Sequence, residues 1–370
     1  MKIVNLTIDR YRSDAPSGGP GPGGEILIVG IATDGGPTGM GFTAATPTTA
    51  PILKALLETV LRPTVLGADP MLTEQLWWRM YEALPRRGGE GLMRLAIAAV
   101  DFALWDIKGK AAGLPIAALF GGRRERVPTY ANCAHHLPAD RLAERAARDV
   151  AAGHRALKIR GTRSFVSPTE ATERVRQVRA AVGPDVRLMV DVNGSWDVDT
   201  AIRQLKAWER YDVYWLEEPV PPHDIDGYRR VRERAGTTLV VGGEQHVGLG
   251  EFRRLIETEA VDIVQPNAAI TGGITDWLRI HAFATAHGMP VSPWNLQSVH
   301  LHMAAGLPNV QWIEYFMPDN ALLAFQTRLF TGPAMREDVT PEGVFLLPPD
   351  EPGLGLGLDP AMAEASLVRE

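Results

Sequence analysis

RLMVDVN at 187–193, VYWLEEP at 213–219 and TLVVGGEQ at 238–245 are short apolar runs that each close on an acid, Asp191, Glu217 and Glu244. Their length and composition fit strands that are buried on both faces. Five further runs flank them: VPTYANC (127–133), RALKIRG (155–161), VDIVQPN (261–267), MPVSPW (289–294) and VQWIEYF (310–316). Helix-like stretches separate the eight at spacings of roughly 20 to 33 residues, an alternation that predicts parallel βα units. Eight units suit a closed barrel better than an open sheet, and the Gly-rich fingerprint of an open dinucleotide-binding sheet is missing after the first run.

In such a barrel the active site lies at the C-terminal ends of the strands. Asp191, Glu217 and Glu244 occupy the same relative position on consecutive strands, so they converge on one point of the rim. One acid of this kind reads as a solvated surface group, but three in a shared register repel one another, and a hard divalent cation is the simplest remedy.

The rest of the chain frames this barrel. Residues 2–9 and 25–33 read as strands, joined by a segment containing SGGPGPGG at 17–24. That segment has no GK[ST] ending and does not lead from a buried strand into a helix, so it is expected to be a mobile flap and not a phosphate cradle. From about residue 50 to 120 the pattern is helical, with Ile97, Val100, Leu104 and Ile107 recurring three or four apart in a helix that ends at Gly113. Trp77 and Trp78 are expected in its core. After residue 317 the periodicity fades, and the tail is expected to fold back. Three segments follow: 1–125, 126–317 and 318–370. A net charge of -6 without a basic run excludes a nucleic-acid surface. The single Cys133 excludes an intrachain disulfide. No apolar stretch is long enough to span a bilayer and the N-terminus has no signal-peptide core, so no membrane partner is expected and the compartment reads as cytoplasmic.

AIAAVDFALWDIKGKAAGLPIAALFGG at 96–122, the DVN, WLEEP and GGE strand ends, ITGGITDW at 270–277 and HLHMAAGLPN at 300–309 together resemble the mandelate racemase/muconate lactonizing branch of the enolase superfamily. The resemblance implies a modified (β/α)7β TIM-like barrel with an α+β capping domain, built from the N-terminal segment and the C-terminal tail. It further implies Mg2+ held by Asp191, Glu217 and Glu244, and removal of the proton next to a carboxylate to give an enediolate stabilised on the metal. A concentrated positive charge is what so weak a carbon acid needs at neutral pH. The partners expected are a small-molecule carboxylate and further copies of the same chain.

The family's proton-transfer groups do not carry over. Members of the branch end the second barrel strand in Lys-x-Lys, where this chain has Lys158-Ile159-Arg160. Alternation puts Lys158 and Arg160 on one side, but a guanidinium does not deprotonate in the working range, so Arg160 is read as a carboxylate clamp. Lys158 is expected to have its pKa lowered by Arg160 and the metal, and to matter to chemistry more than to folding. Where relatives place an Asp and a His on the opposite face, this chain has Asn267 and Trp294, neither of which can accept a proton from carbon; both are read as substrate contacts. Glu314 matches the acid that in relatives hydrogen-bonds the substrate carboxylate. Asn193 shares the face of Asp191 and is expected to contact ligand. His246, on the side of Glu244 if the chain stays extended, is the reserve base; His223 is weighed against a solvated loop histidine. His300 and His302, two apart, do not share a helix face and argue against zinc. Racemisation needs a competent group on each face, whereas dehydration can use one as base and then as acid. The expected activity is therefore a hydro-lyase resembling acid-sugar dehydratases. A racemase, epimerase or cycloisomerase is the enzymatic alternative, and a carboxylate-binding protein without catalysis the other.

Overall fold

The first strands form an antiparallel sheet in the order β1 (Ile3–Arg12), β2 (Glu25–Thr33), β3 (Gly39–Ala45). The structure is a computed structural model describing residues 1–13, 24–84, 86, 88–122, 124–133, 137–160 and 167–369. Apart from Gly24, the glycine-rich stretch read as a flap lies outside the described residues. β3 is not legible in the sequence because GMGFTAA has little β-branched content. Its glycines answer to the long helix Leu92–Ala112: a Cβ on Gly41 would lie 1.9 Å from the Ala99 carbonyl oxygen, so the strand rests directly on the helix backbone. Ile97, Val100, Leu104 and Ile107 are fully buried against Ile3, Leu27, Val29 and Ile31. The helix stops where expected, at Gly113 in the left-handed region (φ +66°).

The second sheet is a closed ring. β4 (Val127–Asn132), β5 (Ala156–Arg160), β6 (Arg187–Asp191), β7 (Val213–Glu217), β8 (Leu239–Gly242) and β9 (Ile263–Val264) run parallel in that order. Single parallel bridges join Val264 to Val291 and Val291 to Val310, and β10 (Ile313–Tyr315) pairs with β4 to close it. The expected seventh strand has thus contracted to Val291, because Pro290 and Pro293 on either side carry no N–H for a ladder. Tyr130, Ala156, Met189, Trp215, Val241 and Ile263, one from each of six successive strands, plug the interior. Alternation then brings a polar layer to the axis two residues further along, with Asn132, Lys158, Asp191, Glu217, Gln265, Ser292 and Glu314 all buried.

The tail divides its contacts. β11 (Glu337–Thr340) and β12 (Gly343–Leu346) form a hairpin whose second strand pairs antiparallel with β4 of the barrel. Further on, Leu354 N donates to Asp106 Oδ1 (2.8 Å) on the capping helix, and Val368 N donates to the Arg10 carbonyl (2.8 Å). No helix among the described residues is long and apolar enough to cross a membrane.

The capping domain grips the barrel at 271–276. Trp77 Nε1 donates to the Gly272 carbonyl (2.7 Å), and Arg94 reaches the Thr271 carbonyl (3.2 Å) and Asp276 (3.1 Å). Asp101, wholly buried, accepts from Thr275 N (3.0 Å) and Thr275 Oγ1 (2.6 Å). Trp77 is core as expected, but Trp78 is 43% exposed and lies under Arg279, since its side of the helix Thr73–Glu82 faces outward. Burial, the dominant influence, pushes Asp101 up to about 7 from 3.8, despite its bonds to Thr275. The folded chain therefore binds more protons than the unfolded one between those values, and stability falls as pH rises through that window. Asp101→Asn keeps the donor and acceptor pattern of the protonated acid. Its Tm minus that of the wild type should climb steadily from pH 4 to 7; a difference that stays flat across the range would contradict a buried, pH-sensitive latch.

Candidate active site

Asp191 and Glu217 end β6 and β7, and Glu244 lies two residues beyond β8; one carboxylate oxygen from each lies within 4.8 Å of the others, all three residues buried. Glu218, the next residue after Glu217, is turned into the same cluster by a left-handed backbone (φ +46°), a conformation that costs a non-glycine residue about 1–3 kcal/mol. Its Oε2 accepts from Gln245 Nε2 (2.7 Å). Asn193 sits among the acids, with its N–H on Asp191 Oδ1 (2.8 Å) and its amide near Glu244 Oε1 (3.2 Å). Burial first, then the neighbouring negative charges, pushes Glu217 up to about 7, Glu218 up to about 8 and Glu244 well above the carboxylate range. Oε2 of Glu217 and Oε2 of Glu244 are buried without a hydrogen-bond partner among the described residues. Orphaned oxygens, mutual repulsion and an all-oxygen donor set fit a hard cation such as Mg2+ and disfavour zinc.

Lys158 and Arg160 reach the cluster from the same side of β5, as alternation requires. Arg160 Nη2 lies 3.2 Å from Asp191 Oδ2, and its Nε is a buried donor with no partner among the described residues. Lys158 departs from expectation. Its Nζ lies 2.8 Å from Glu217 Oε1 and 2.7 Å from Glu314 Oε1, with no part of the side chain exposed. Burial favours the neutral amine, but Glu217 and Glu314 outweigh it and hold the pKa well above the lysine range, opposite to the lowering anticipated. The view of Lys158 as peripheral to folding is corrected for the same reason: it is the counter-ion of two buried carboxylates. Glu314 is equally committed, taking Asn132 Nδ2 (2.6 Å) and Lys158 on Oε1 and Asn295 N (3.0 Å) on Oε2.

On the opposite wall Asn267 caps the short helix Ala268–Thr271, accepting from Ala269 N (2.8 Å), and donates to the Trp294 carbonyl (3.2 Å). It therefore fixes the half-buried Trp294, and its acceptor is not open to ligand. His246 is not brought to the acids. The chain does not stay extended after Glu244: a turn closed by His246 N on the Gly243 carbonyl (3.0 Å) sends the ring outward between Tyr228 and Phe252, beside Arg254 and the exposed His223. Burial lowers its pKa to about 4. His300 and His302 are structural. His300 accepts from Ala268 N (3.2 Å) and donates to the Asn295 carbonyl (2.6 Å), while His302 bridges Ala117 N (3.3 Å) and the Leu354 carbonyl (3.2 Å). Sequence reasoning missed Asn132, though it ends β4 and the strand-end rule reaches it. It also missed Glu218, whose inward turn depends on a backbone angle that composition does not reveal.

Residues 24–121 match the mandelate racemase / muconate lactonizing enzyme N-terminal domain family, and residues 141–362 the enolase C-terminal domain-like family. The chain is 33% identical over 291 residues to 3,6-anhydro-alpha-L-galactonate cycloisomerase of Streptomyces coelicolor, covering 78% of this chain and 80% of that one. It is 32% identical over 311 residues to L-talarate/galactarate dehydratase of Salmonella typhimurium, covering 83% and 77%. The fold matches the crystal structure of L-talarate dehydratase from Polaromonas sp. JS666 complexed with Mg and L-glucarate, with a TM-score of 0.87, 31% identity and coverage of 100% and 98%.

Two measurements probe this geometry. Mg2+ should raise the Tm of the wild type, and calorimetry on Glu217→Gln should register a loss of more than about tenfold in Mg2+ affinity; equal affinity would remove Glu217 from the ligand set. Lys158→Met should destabilise by about 3–5 kcal/mol, as breaking a buried pair does, and adding Glu314→Gln should recover part of that loss. Strictly additive effects would mean that the Lys158 and Glu314 charges are not coupled.

Proposed function

The chain belongs to the mandelate racemase/muconate lactonizing enzyme family of the enolase superfamily, and from that premise we propose that it is an acid-sugar dehydratase, a carbon-oxygen hydro-lyase that uses Mg2+. Asp191, Glu217 and Glu244 would hold the ion, which supplies the positive charge that makes an α-proton of a carboxylate removable. The observation that carries the proposal is the asymmetry of the two walls. Lys158 and Arg160 stand on one, while the other presents Asn267 and Trp294, which cannot exchange a proton with carbon.

Arg160, whose buried Nε has no partner among the described residues, binds and orients the substrate carboxylate. Lys158 is the near-wall group able to cycle a proton. It takes the α-proton, the C–H electron pair becomes the new C=C bond, and the β-hydroxyl leaves with its bonding pair and the proton returned by the lysine. Water and an enol result, and the enol tautomerises to the 2-keto-3-deoxy acid. Because Glu217 and Glu314 keep Lys158 protonated at rest, the base form is scarce and the rate rises toward alkaline pH. Trp294 excludes water from the far wall. The cycloisomerase relative supports a second reading, in which the departing oxygen remains tethered to the substrate. The proposal includes assembly with further copies of the chain, for which exposed Val4, Leu66 and Leu72 on the capping domain offer apolar surface; light scattering on the purified protein reads the assembly state.

A panel of sugar acids incubated with Mg2+ in deuterated buffer separates these outcomes. Dehydration should be observed with exchange confined to the Lys158 side, and Lys158→Met, assayed below its own Tm, should lose about 10²–10⁴-fold in kcat. Trp294→Ala should raise KM without moving either limb of the pH profile, because indole does not titrate there. Rapid stereospecific exchange from the Trp294 side would sink the one-wall assignment, and no exchange or turnover with any acid would favour a binding protein.

A further inference from the structure

Two fully buried polar side chains on the far wall have no hydrogen-bond partner among the described residues: both amide atoms of Gln265 and the hydroxyl of Ser292. Their direction follows from alternation. Ile263 belongs to the cluster filling the barrel interior and Val264 to the one packed under the outer helices, so Gln265 faces the axis. Val291 likewise packs outward and Ser292 inward. The two sit side by side, because Ser292 N donates to the Val264 carbonyl (3.0 Å) while Gln265 N donates to the Gly242 carbonyl (2.9 Å). Gln265 therefore lies next to Gly243, the residue before Glu244, and a Cβ on Gly243 would come within 2.9 Å of Gln265 N. In the ring order β4 to β10, β9 stands across the barrel from β5, which places this pair opposite Lys158 and Arg160.

A buried amide with neither its donor nor its acceptor used is costly, and an apolar side chain of similar shape would fill the site at no such cost. We propose that Gln265 and Ser292 form the subsite for the substrate's hydroxyl groups, across from the cations that take its carboxylate. The chemistry selects that class. Amide and alcohol each donate and accept, as does a sugar hydroxyl, whereas neither matches a second carboxylate in charge or an alkyl chain in polarity. Asn267, two residues on from Gln265, cannot share the task through its carbonyl oxygen, which caps a helix. This subsite rests on the dehydratase reading for its placement but can fail separately from it.

The test uses Gln265→Met and Ser292→Ala in the full chain, with D-galactonate, a sugar acid with a single carboxylate, and its monodeoxy analogues as probes. If the pair serves ligand, the Tm without ligand should stay level or rise in both variants, because an unsatisfied polar group has been removed. With Mg2+ present, kcat/KM should drop about tenfold per lost hydrogen bond for D-galactonate but scarcely for the analogue that lacks the matching hydroxyl. A lower Tm with discrimination among the analogues intact would overturn the subsite and make the pair a structural water site. If a variant loses both stability and rate, the analogue ratio still decides: collapse toward one supports the subsite, and an unchanged ratio overturns it. Ligand-induced Tm shifts read the same ratio without turnover. Hydroxyl-dependent stabilisation of the wild type that disappears in the variants keeps the subsite even if no acid is dehydrated; stabilisation that ignores the hydroxyls, or none, overturns it.

Discussion

Four carboxylates, Asp191, Glu217, Glu218 and Glu244, share one buried barrel mouth, and their mutual repulsion is the constraint around which the neighbouring structure is arranged. Burial and like charge act in the same direction on Glu217, Glu218 and Glu244, toward protonation. The fold answers with Lys158 and Arg160 on the adjacent strand, with the Asn193 and Gln245 amides, and with a candidate metal site in which Glu217 Oε2 and Glu244 Oε2 have no other partner among the described residues. None of these groups has a stability argument of its own in an apolar core. A charge layer at this depth persists because the apolar layer beneath it, from Tyr130 to Ile263, and the helices outside fix the strands so firmly that the acids cannot relax apart.

That rigidity extends through the capping domain. Asp101, Trp77 and Arg94 hold the segment 271–276, which continues from the short helix that Asn267 caps, and Asn267 in turn holds the Trp294 carbonyl. The far wall is thus positioned from outside the barrel, by contacts that involve no titratable group at the site itself. His300 and His302 contribute in the same way, as neutral rings, each tying two backbone segments together.

The convergence of Asp191, Glu217 and Glu244 was legible in the sequence because their placement depends on two local rules, a period of two along a strand and function at strand ends. The same rules located Lys158 and Arg160 on one side. They failed where the chain left the strand. Glu218 enters the site through a left-handed angle, and His246 leaves it through a turn starting at Gly243 (φ +136°), neither of which composition announces. β3 was invisible because its fit to the helix Leu92–Ala112 is a tertiary contact at glycine. The direction of the Lys158 shift was misread for a related reason. Sequence supplies the cation beside it, Arg160, but the two carboxylates that dominate come from β7 and β10, 59 and 156 residues away by numbering, and only closure of the ring brings them into contact.

The same closure explains how one rim carries two kinds of polarity. β5 to β8 supply charge, and β9, Val291 and β10 supply neutral groups or a carboxylate already saturated by Asn132, Lys158 and Asn295. On the charged side Arg160 Nε is a buried donor without a partner among the described residues. Across the barrel stand Gln265 and Ser292, whose amide and hydroxyl can hydrogen-bond uncharged groups but cannot remove or return a proton. In the proposed dehydration, the proton that leaves is the one presented to β5. A chain that had kept an acid and an imidazole on the far wall would have two competent faces and no such bias. Asn267 and Trp294 present no such second face, and the wall is held by the Asn267 side chain itself, whose carbonyl oxygen accepts from Ala269 N and whose amide donates to the Trp294 carbonyl.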